Sequence, residues 1–331
     1  MSNIEVVGLG ALNIDHLYQV ERIIDDGETI VDESISSPGG SAANTIYGLA
    51  KLGVNAGFIG VIGDDAEGKI LTQDFQKVGV DTSQIKLKHR AKTGSVLCLS
   101  DKRNSRSLYV MPGANSLLTM DDLDLGYINQ AKMLHLSSFV NDRQFKISLD
   151  LIDRLDSSVK VSFAPGALYA SRGLKALNPM LARTYVLFTN RNEMRQLTGE
   201  DLNTGAKTCL EQGCHIVVVT LGKGTELALG NGKMHRKVTS VCYSRDNEPG
   251  YVIKPDSRHS VPEVDTTGAG DAFATGFLYG LLNGKGLEEC GHLGDIVARF
   301  SIAKVGARQG LPTSTKLAQR YQELHNKEFR L

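Results

Sequence analysis

The chain has 331 residues, which suits one large α/β domain or two of ordinary size, and 41% of them are apolar, enough for a substantial core and an argument against disorder in its body. Lys plus Arg and Asp plus Glu each total 37, so the formal net charge is zero. That balance argues against a protein devoted to gripping nucleic acid or an anionic membrane, which needs a basic excess, and points to a small partner.

In chain order, "IEVVGLGAL" reads as a buried strand, β-branched and closed by glycines, and "SAANTIYGLAKLG" as a helix that stops at Gly53. "AGFIGVIG" is the next buried strand and "GKILTQDFQKVG" the next helix. The alternation recurs through "AKMLHLSS", "FKISLDLIDRL", "VKVSFAPG", "YVLFTN", "GAKTCLEQG" and "HIVVVTLG". Such a rhythm predicts an α/β fold: a central, mostly parallel sheet flanked by helices, as one domain over 1–331. Two stretches break it, roughly 12–37 and 90–113, which alternate apolar and polar residues and read as a small projecting β-sheet, either a lid or a peripheral hairpin. Residues 244–260, with two prolines, read as a polar loop.

Five cysteines, an odd count with no CxxC pair, argue against a disulfide framework or a zinc site. The N-terminus has no basic region followed by a long apolar stretch, and no apolar run is long enough to span a bilayer, so a cytoplasmic protein is expected.

Two phosphate-loop look-alikes carry little. "GDDAEGKI" has GxxxxGK spacing, but Ile70 stands where a magnesium-binding Ser or Thr belongs, and the acidic residues would repel phosphate; a strand-to-helix turn is the better reading. "GLGALN" lacks the third glycine of a dinucleotide fingerprint, with Asn13 in its place. "PGGSAANT" says more. Gly39 and Gly40 let backbone approach a ligand, Asn44 can donate and accept, and the plain alternative is a turn with Ser41 as helix cap.

"VDTTGAGDAFATGFLYGLL" is the most informative segment. Gly268, Ala269 and Gly270 can expose successive N–H groups at the start of an apolar helix, a site for phosphate or for charge that develops in transfer. Asp271 beside them could merely complement the helix dipole, or could orient and deprotonate an acceptor hydroxyl.

"PGGSAANTIYGLAKLG" together with "DTTGAGDAFATGFLYGLL" resembles the two signature segments of the ribokinase-like (PfkB) sugar and nucleoside kinases, and the resemblance runs in order over nearly the whole chain. It implies a three-layer ribokinase-like fold with a β-sheet lid. It also implies Asp271 as catalytic base, with the amides of Gly268, Ala269, Gly270 and Asp271 as an anion hole. "GALNID" resembles the family's early substrate strand, which implicates Asn13 and Asp15, with Gly39, Gly40 and Asn44, in hydroxyl recognition. "TNRNEM" resembles its N-x-x-E element, which places Asn190 at the nucleotide and Glu193 near Mg2+ through water. "TLGKG" resembles a nucleotide-binding turn, one residue short, so that Thr220 and Gly222 carry over better than Gly224; Asp295 joins them as a nucleotide contact. Asp265, Thr267, Ser301, Lys304, Gly306 and Gly310 sit where some relatives hold a monovalent cation such as K+.

The sequence departs from the family at several points. Ser137 and Ser138 stand where ribokinases carry a substrate-binding glutamate, and Ala164 where many relatives have aspartate. Arg90, Lys92, Lys102, Arg103 and Arg106 cluster on the lid, most simply as a solvated face; an inward Arg106 would suit a phosphorylated sugar. The implied activity is ATP-dependent phosphorylation of a primary hydroxyl on a ribose- or fructose-like sugar. A nucleoside stands close behind, and a non-catalytic regulator on the same fold further off. An oxidoreductase would rest on "GLGALN" alone. A homodimer through the lid is expected.

Overall fold

The computed structural model describes residues 4–102, 106–229, 234–253 and 261–326. A nine-stranded sheet forms the body. Its parallel part consists of β1 (Val6–Leu9), β4 (Ala56–Gly63), β5 (Ile85–Lys88), β8 (Met133–Ser137), β9 (Lys160–Ala164), β10 (Thr184–Asn190) and β11 (Ile216–Leu229). Two antiparallel strands, β12 (Met234–Ser244) and β13 (Asn247–Ile253), extend one edge, giving the order β13-β12-β11-β10-β9-β8-β1-β4-β5. The stretch expected as a polar loop over 244–260 is therefore partly a strand; Pro249 is tolerated because it falls where the pairing of this edge strand with β12 slips, between Asn247 and Tyr251. Residues 254–260 lie outside the described residues.

Successive strand residues go to opposite faces and build two cores. Val6, Phe58 and Val218 pack on one side with α1 (Ser41–Lys51), α2 (Ala66–Lys77), α9 (Ala269–Leu282), α10 (Leu287–Ile302) and α11 (Ser314–His325). Val7, Leu9, Ile59 and Val217 pack on the other with α3 (Leu125–Asn129), α4 (Asp142–Arg154), α5 (Gly166–Ala170), α6 (Gly173–Arg183), α7 (Arg191–Thr198) and α8 (Leu202–Glu211). "GDDAEGKI" is the expected strand-to-helix turn: the Asp65 side chain caps α2 by accepting from the Gly68 amide at 2.9 Å.

The two stretches that break the rhythm form a second sheet of β2 (Asn13–Val20), β3 (Val31–Gly39), β6 (Gly94–Asp101) and β7 (Arg106–Met111), in the order β3-β2-β6-β7. Arg103 and the Arg106 side chain, on which a phosphate-reading lid would depend, lie outside the described residues. All five cysteines are free and buried, Cys98 in the second sheet and the other four in the body.

Chain order reverses at β1, which has β4 on one side and β8 on the other. In open α/β sheets a crevice opens beyond the C-terminal strand ends at such a switch. The second sheet roots there, since β2 begins four residues after β1 ends.

Candidate active site

α9 begins at Ala269 after Gly268, whose φ of 72° lies in the left-handed region. Asp271 is its third residue and faces the first turn of α1. Its Oδ1 accepts from Ser41 Oγ at 2.7 Å and its Oδ2 from Asn44 Nδ2 at 2.8 Å. Burial pushes its carboxyl up to about 6, against the pull of those two donors, while the charges of Asp15 and Glu193 add to the rise. Gly270 and Asp271 contribute first-turn amides, which an α-helix leaves without an intrahelical acceptor. The Ala269 amide, by contrast, donates to the Thr266 carbonyl at 3.2 Å.

The segment from Thr266 to Asp271 separates two cavities. The first, about 270 Å³, is bordered by Thr267, Gly268 and Asp271 and also takes in Asn13, Asp15, Gly40 and Asn44. Asn13 is buried and held by Asn115, whose Nδ2 donates to Asn13 Oδ1 at 2.9 Å. Gly40 has a φ of 94°, and any Cβ there would strike the Ala11 carbonyl; at Gly39 it would strike the Asp15 carboxylate. Only glycines let the chain pass this closely from β3 into α1. The far wall is apolar, with Val96, Leu108 and Val110 from the second sheet facing Phe139 and Leu168 from the body.

The second cavity, about 500 Å³, is bordered by Thr266, Ala269 and Gly270, and its lining includes Thr220, Gly222 and Asp295. Asp295 accepts from Arg299 Nε at 2.8 Å. "TLGKG" is not a free turn but lies inside β11, where the pairing with β12 slips between Thr220 and Thr225. Gly222 and Gly224, with φ of 57° and 90°, make that bulge.

A smaller cavity of about 100 Å³ meets both, lined by Ser41, Thr189, Asn190, Glu193, Thr220, Gly270 and Asp271. Asn190 caps α7 and is capped in return: Asn190 Oδ1 accepts from the Glu193 amide at 2.9 Å, and Glu193 Oε2 from the Asn190 amide at 3.0 Å. Burial raises the Glu193 carboxyl, partly offset by the Asn190 bonds. Thr189 Oγ1 is buried without a partner. The donors here are all oxygens and few are carboxylates, a set that fits Mg2+ held largely through its waters.

Asp265 lies six residues before Asp271, ahead of α9. Its Oδ1 accepts from the Thr267 amide and hydroxyl at 2.9 and 2.6 Å, and its Oδ2 from the Gly306 amide at 2.8 Å. The Lys304 amide donates to the Ser301 carbonyl at 3.2 Å, and Gly310 packs against the carbonyls of Phe300 and Ser301. Asp265 thus ties its own loop, with Thr267, to Gly306 in the loop after α10, while Ser301 in the last turn of α10 meets Lys304 and Gly310.

The model of the pfkB family carbohydrate kinases matches residues 3–314. The chain belongs to that family. This pfkB-family phosphotransferase is 37% identical over 274 residues to an uncharacterized sugar kinase of Archaeoglobus fulgidus, covering 81% of this chain and 99% of that one. It is 27% identical over 325 residues to a ribokinase of Haemophilus influenzae, covering 92% and 94%. Its fold is ribokinase-like: the crystal structure of a Thermotoga maritima ribokinase superposes with a TM-score of 0.79 at 24% identity, covering 97% of this chain and 99% of that one.

Sequence reasoning about this pfkB-family kinase missed three residues. Ser41, weighed only as an alternative cap of α1, makes no cap hydrogen bond; Gly40 holds the cap position and the Ser41 hydroxyl goes to Asp271. Asn115 and Arg308 carried no signal, since both act across more than a hundred residues on side chains that only folding brings near. Of the serines at the missing glutamate, Ser137 accepts from the Ala42 amide at 3.1 Å and Ser138 lines the first cavity.

Proposed function

We propose that the protein transfers the γ-phosphoryl group of ATP to a primary hydroxyl of a small ribose- or fructose-like sugar. The observation that carries this reading is the segment from Thr266 to Asp271, with one cavity on the side of the carboxylate and a larger one behind the amides. The sugar sits in the first cavity, its hydroxyls on Asn13, Asp15 and Asn44, which lie side by side in its lining. Asp271 takes the proton of the attacking hydroxyl, and its raised carboxyl is better matched to that task near neutrality than an ordinary aspartate. The amides of Gly270 and Asp271, with Gly268 and Ala269 in the same turn, stabilise the moving phosphoryl group. The nucleotide lies along Thr220, Gly222 and Asp295, with Asn190 toward its phosphates. Glu193 would hold Mg2+ through water, and the ion would supply charge neutralisation on the phosphates. A monovalent cation such as K+ at the Asp265 loop pair is part of this reading.

The second sheet acts as a lid over the first cavity, where Val96, Leu108 and Val110 exclude water from the transfer. Its exposed Val31, Ile35, Tyr109 and Met111 favour a second copy of this chain as lid partner. No helix among the described residues is long and apolar enough to cross a membrane, and five buried free thiols fit a reducing, cytoplasmic setting.

The apolar wall of Val96, Leu108, Val110, Phe139 and Leu168 favours a second reading, a nucleoside whose base lies against it. ADP release measured across free sugars and nucleosides with Mg-ATP decides between the two. Turnover of nucleosides without free sugars would replace the first reading with the second, and no turnover of either would overturn both.

A further inference from the structure

We propose that Arg308 is a positioning residue for the transfer, fixing the Asn44 side-chain amide in the one orientation that donates to Asp271. The proposal rests on Asp271 being the base. Arg308 is only 3% exposed, and its fork is fully directed. Nε donates to Asn44 Oδ1 at 2.9 Å, Nη1 to Asp74 Oδ2 at 2.8 Å and Nη2 to the Gly39 carbonyl at 3.0 Å. The guanidinium lies over the rings of Tyr47 and Phe75, 5.1 and 5.2 Å from their centroids.

A guanidinium carries donors and no acceptor, so the Asn44 atom that meets it must be the oxygen. The amide nitrogen is then left to face the Asp271 carboxylate, as observed at 2.8 Å. Turned over, Asn44 would set its N–H groups against a cation and its oxygen against an anion, unfavourable at both ends. The two orientations of an asparagine are nearly equal in shape, so the cation at one end and the carboxylate at the other select between them. The same fork also donates to the Gly39 carbonyl, which keeps the guanidinium from turning away from Asn44. Burial works against the Arg308 cation and lowers its pKa, while the charges of Asp74 and Asp15 favour it. A methionine would pack between the two rings without needing Asp74. Buried ion pairs of this kind add little stability over apolar packing, so orientation is the better account of the arginine.

A mutant cycle of Arg308→Met, Asn44→Ala and the double variant tests this. Arg308→Met is expected to lower kcat on the order of tenfold with the KM for nucleotide unchanged. In the Asn44→Ala background the same change should cost less than about twofold, because its effect passes through Asn44. Equal losses in both backgrounds, or no loss in the parent, overturn the proposal. If Arg308→Met does not fold, Arg308→Lys enters the same cycle: it keeps a cation for Asp74 but not the three-way fork, and the same non-additivity is expected. A readout free of turnover is the Asn44 side-chain amide proton pair in 15N spectra, identified by its loss in Asn44→Ala. It should resist exchange with water in the parent and lose that protection in the arginine variant. Retained protection overturns the proposal. A parent that turns over no acceptor would refute the kinase reading instead, and the exchange result would still judge the orientation.

Discussion

Replacing Asp271 with asparagine separates the chemistry of this site from its cost to the fold. The parent carboxyl stands at about 6 in the folded chain against an ordinary aspartate value of 3.8, mainly through burial. Below the lower value it is neutral folded and unfolded, and it contributes nothing to the pH dependence. Between the two values the unfolded chain releases a proton that the folded chain retains, so native stability falls as pH rises. Above the higher value the whole penalty is in place. At about 1.4 kcal/mol per pK unit the shift amounts to about 3 kcal/mol at pH 8, and about half of that at pH 5. Water in the open cavity screens the carboxylate, which brings the expected gain for asparagine at pH 8 down to about 1–3 kcal/mol. The substitution is accommodated locally. The new oxygen can accept from Asn44, and the Ser41 hydroxyl can rotate to accept from the new amide. Urea unfolding at pH 5 and pH 8 reads the effect: Asp271→Asn should be more stable than the parent at both, by more at pH 8. Turnover should fall on the order of a thousandfold. A variant whose stability advantage shrinks with pH, or which keeps parental turnover, would refute the reasoning.

Asp15→Asn should raise the KM for the acceptor about tenfold or more and leave the KM for ATP unchanged in steady-state assays. Gly40→Ala should cost about 2 kcal/mol or more in urea unfolding, since its φ of 94° and the Ala11 carbonyl leave no place for a methyl group. Glu193→Gln should weaken activation by Mg2+, seen as a rightward shift in the metal titration of turnover, with acceptor binding by calorimetry unaltered. In the parent, kcat/KM should rise with pH through an acid limb near 6 as Asp271 ionises, and Ser41→Ala should move that limb upward by removing one of its two donors.

What could be read from the sequence was whatever lies close along the chain. "GAGD" places amides and carboxylate within four residues, and "GGSAAN" places the close-approach glycines beside the asparagine, so both halves of the site were visible before folding. The alternation of buried strands and helices gave the main sheet for the same reason. Partners across the chain were not visible. Asn44 and Arg308 are 264 residues apart, and nothing near either one announces the other. β13 was hidden because its proline and polar residues read as loop, and only its place at the sheet edge, with the pairing slipped around Pro249, makes them tolerable. The bulge at "TLGKG" was hidden likewise, because a turn and a glycine-bent strand share one vocabulary.

The distribution of the free thiols gives the molecule two clocks. Burial pushes Cys209 and Cys242 up to about 12 and raises Cys214 and Cys290 further, so none is a ready thiolate while the body stays folded. Cys98 belongs to the second sheet instead, and it too is buried. An alkylating reagent therefore meets no thiol until something opens, and the identity of the first cysteine it marks says what did. Early labelling at Cys98 alone times an excursion of the second sheet; simultaneous labelling of all five times the unfolding of the whole chain.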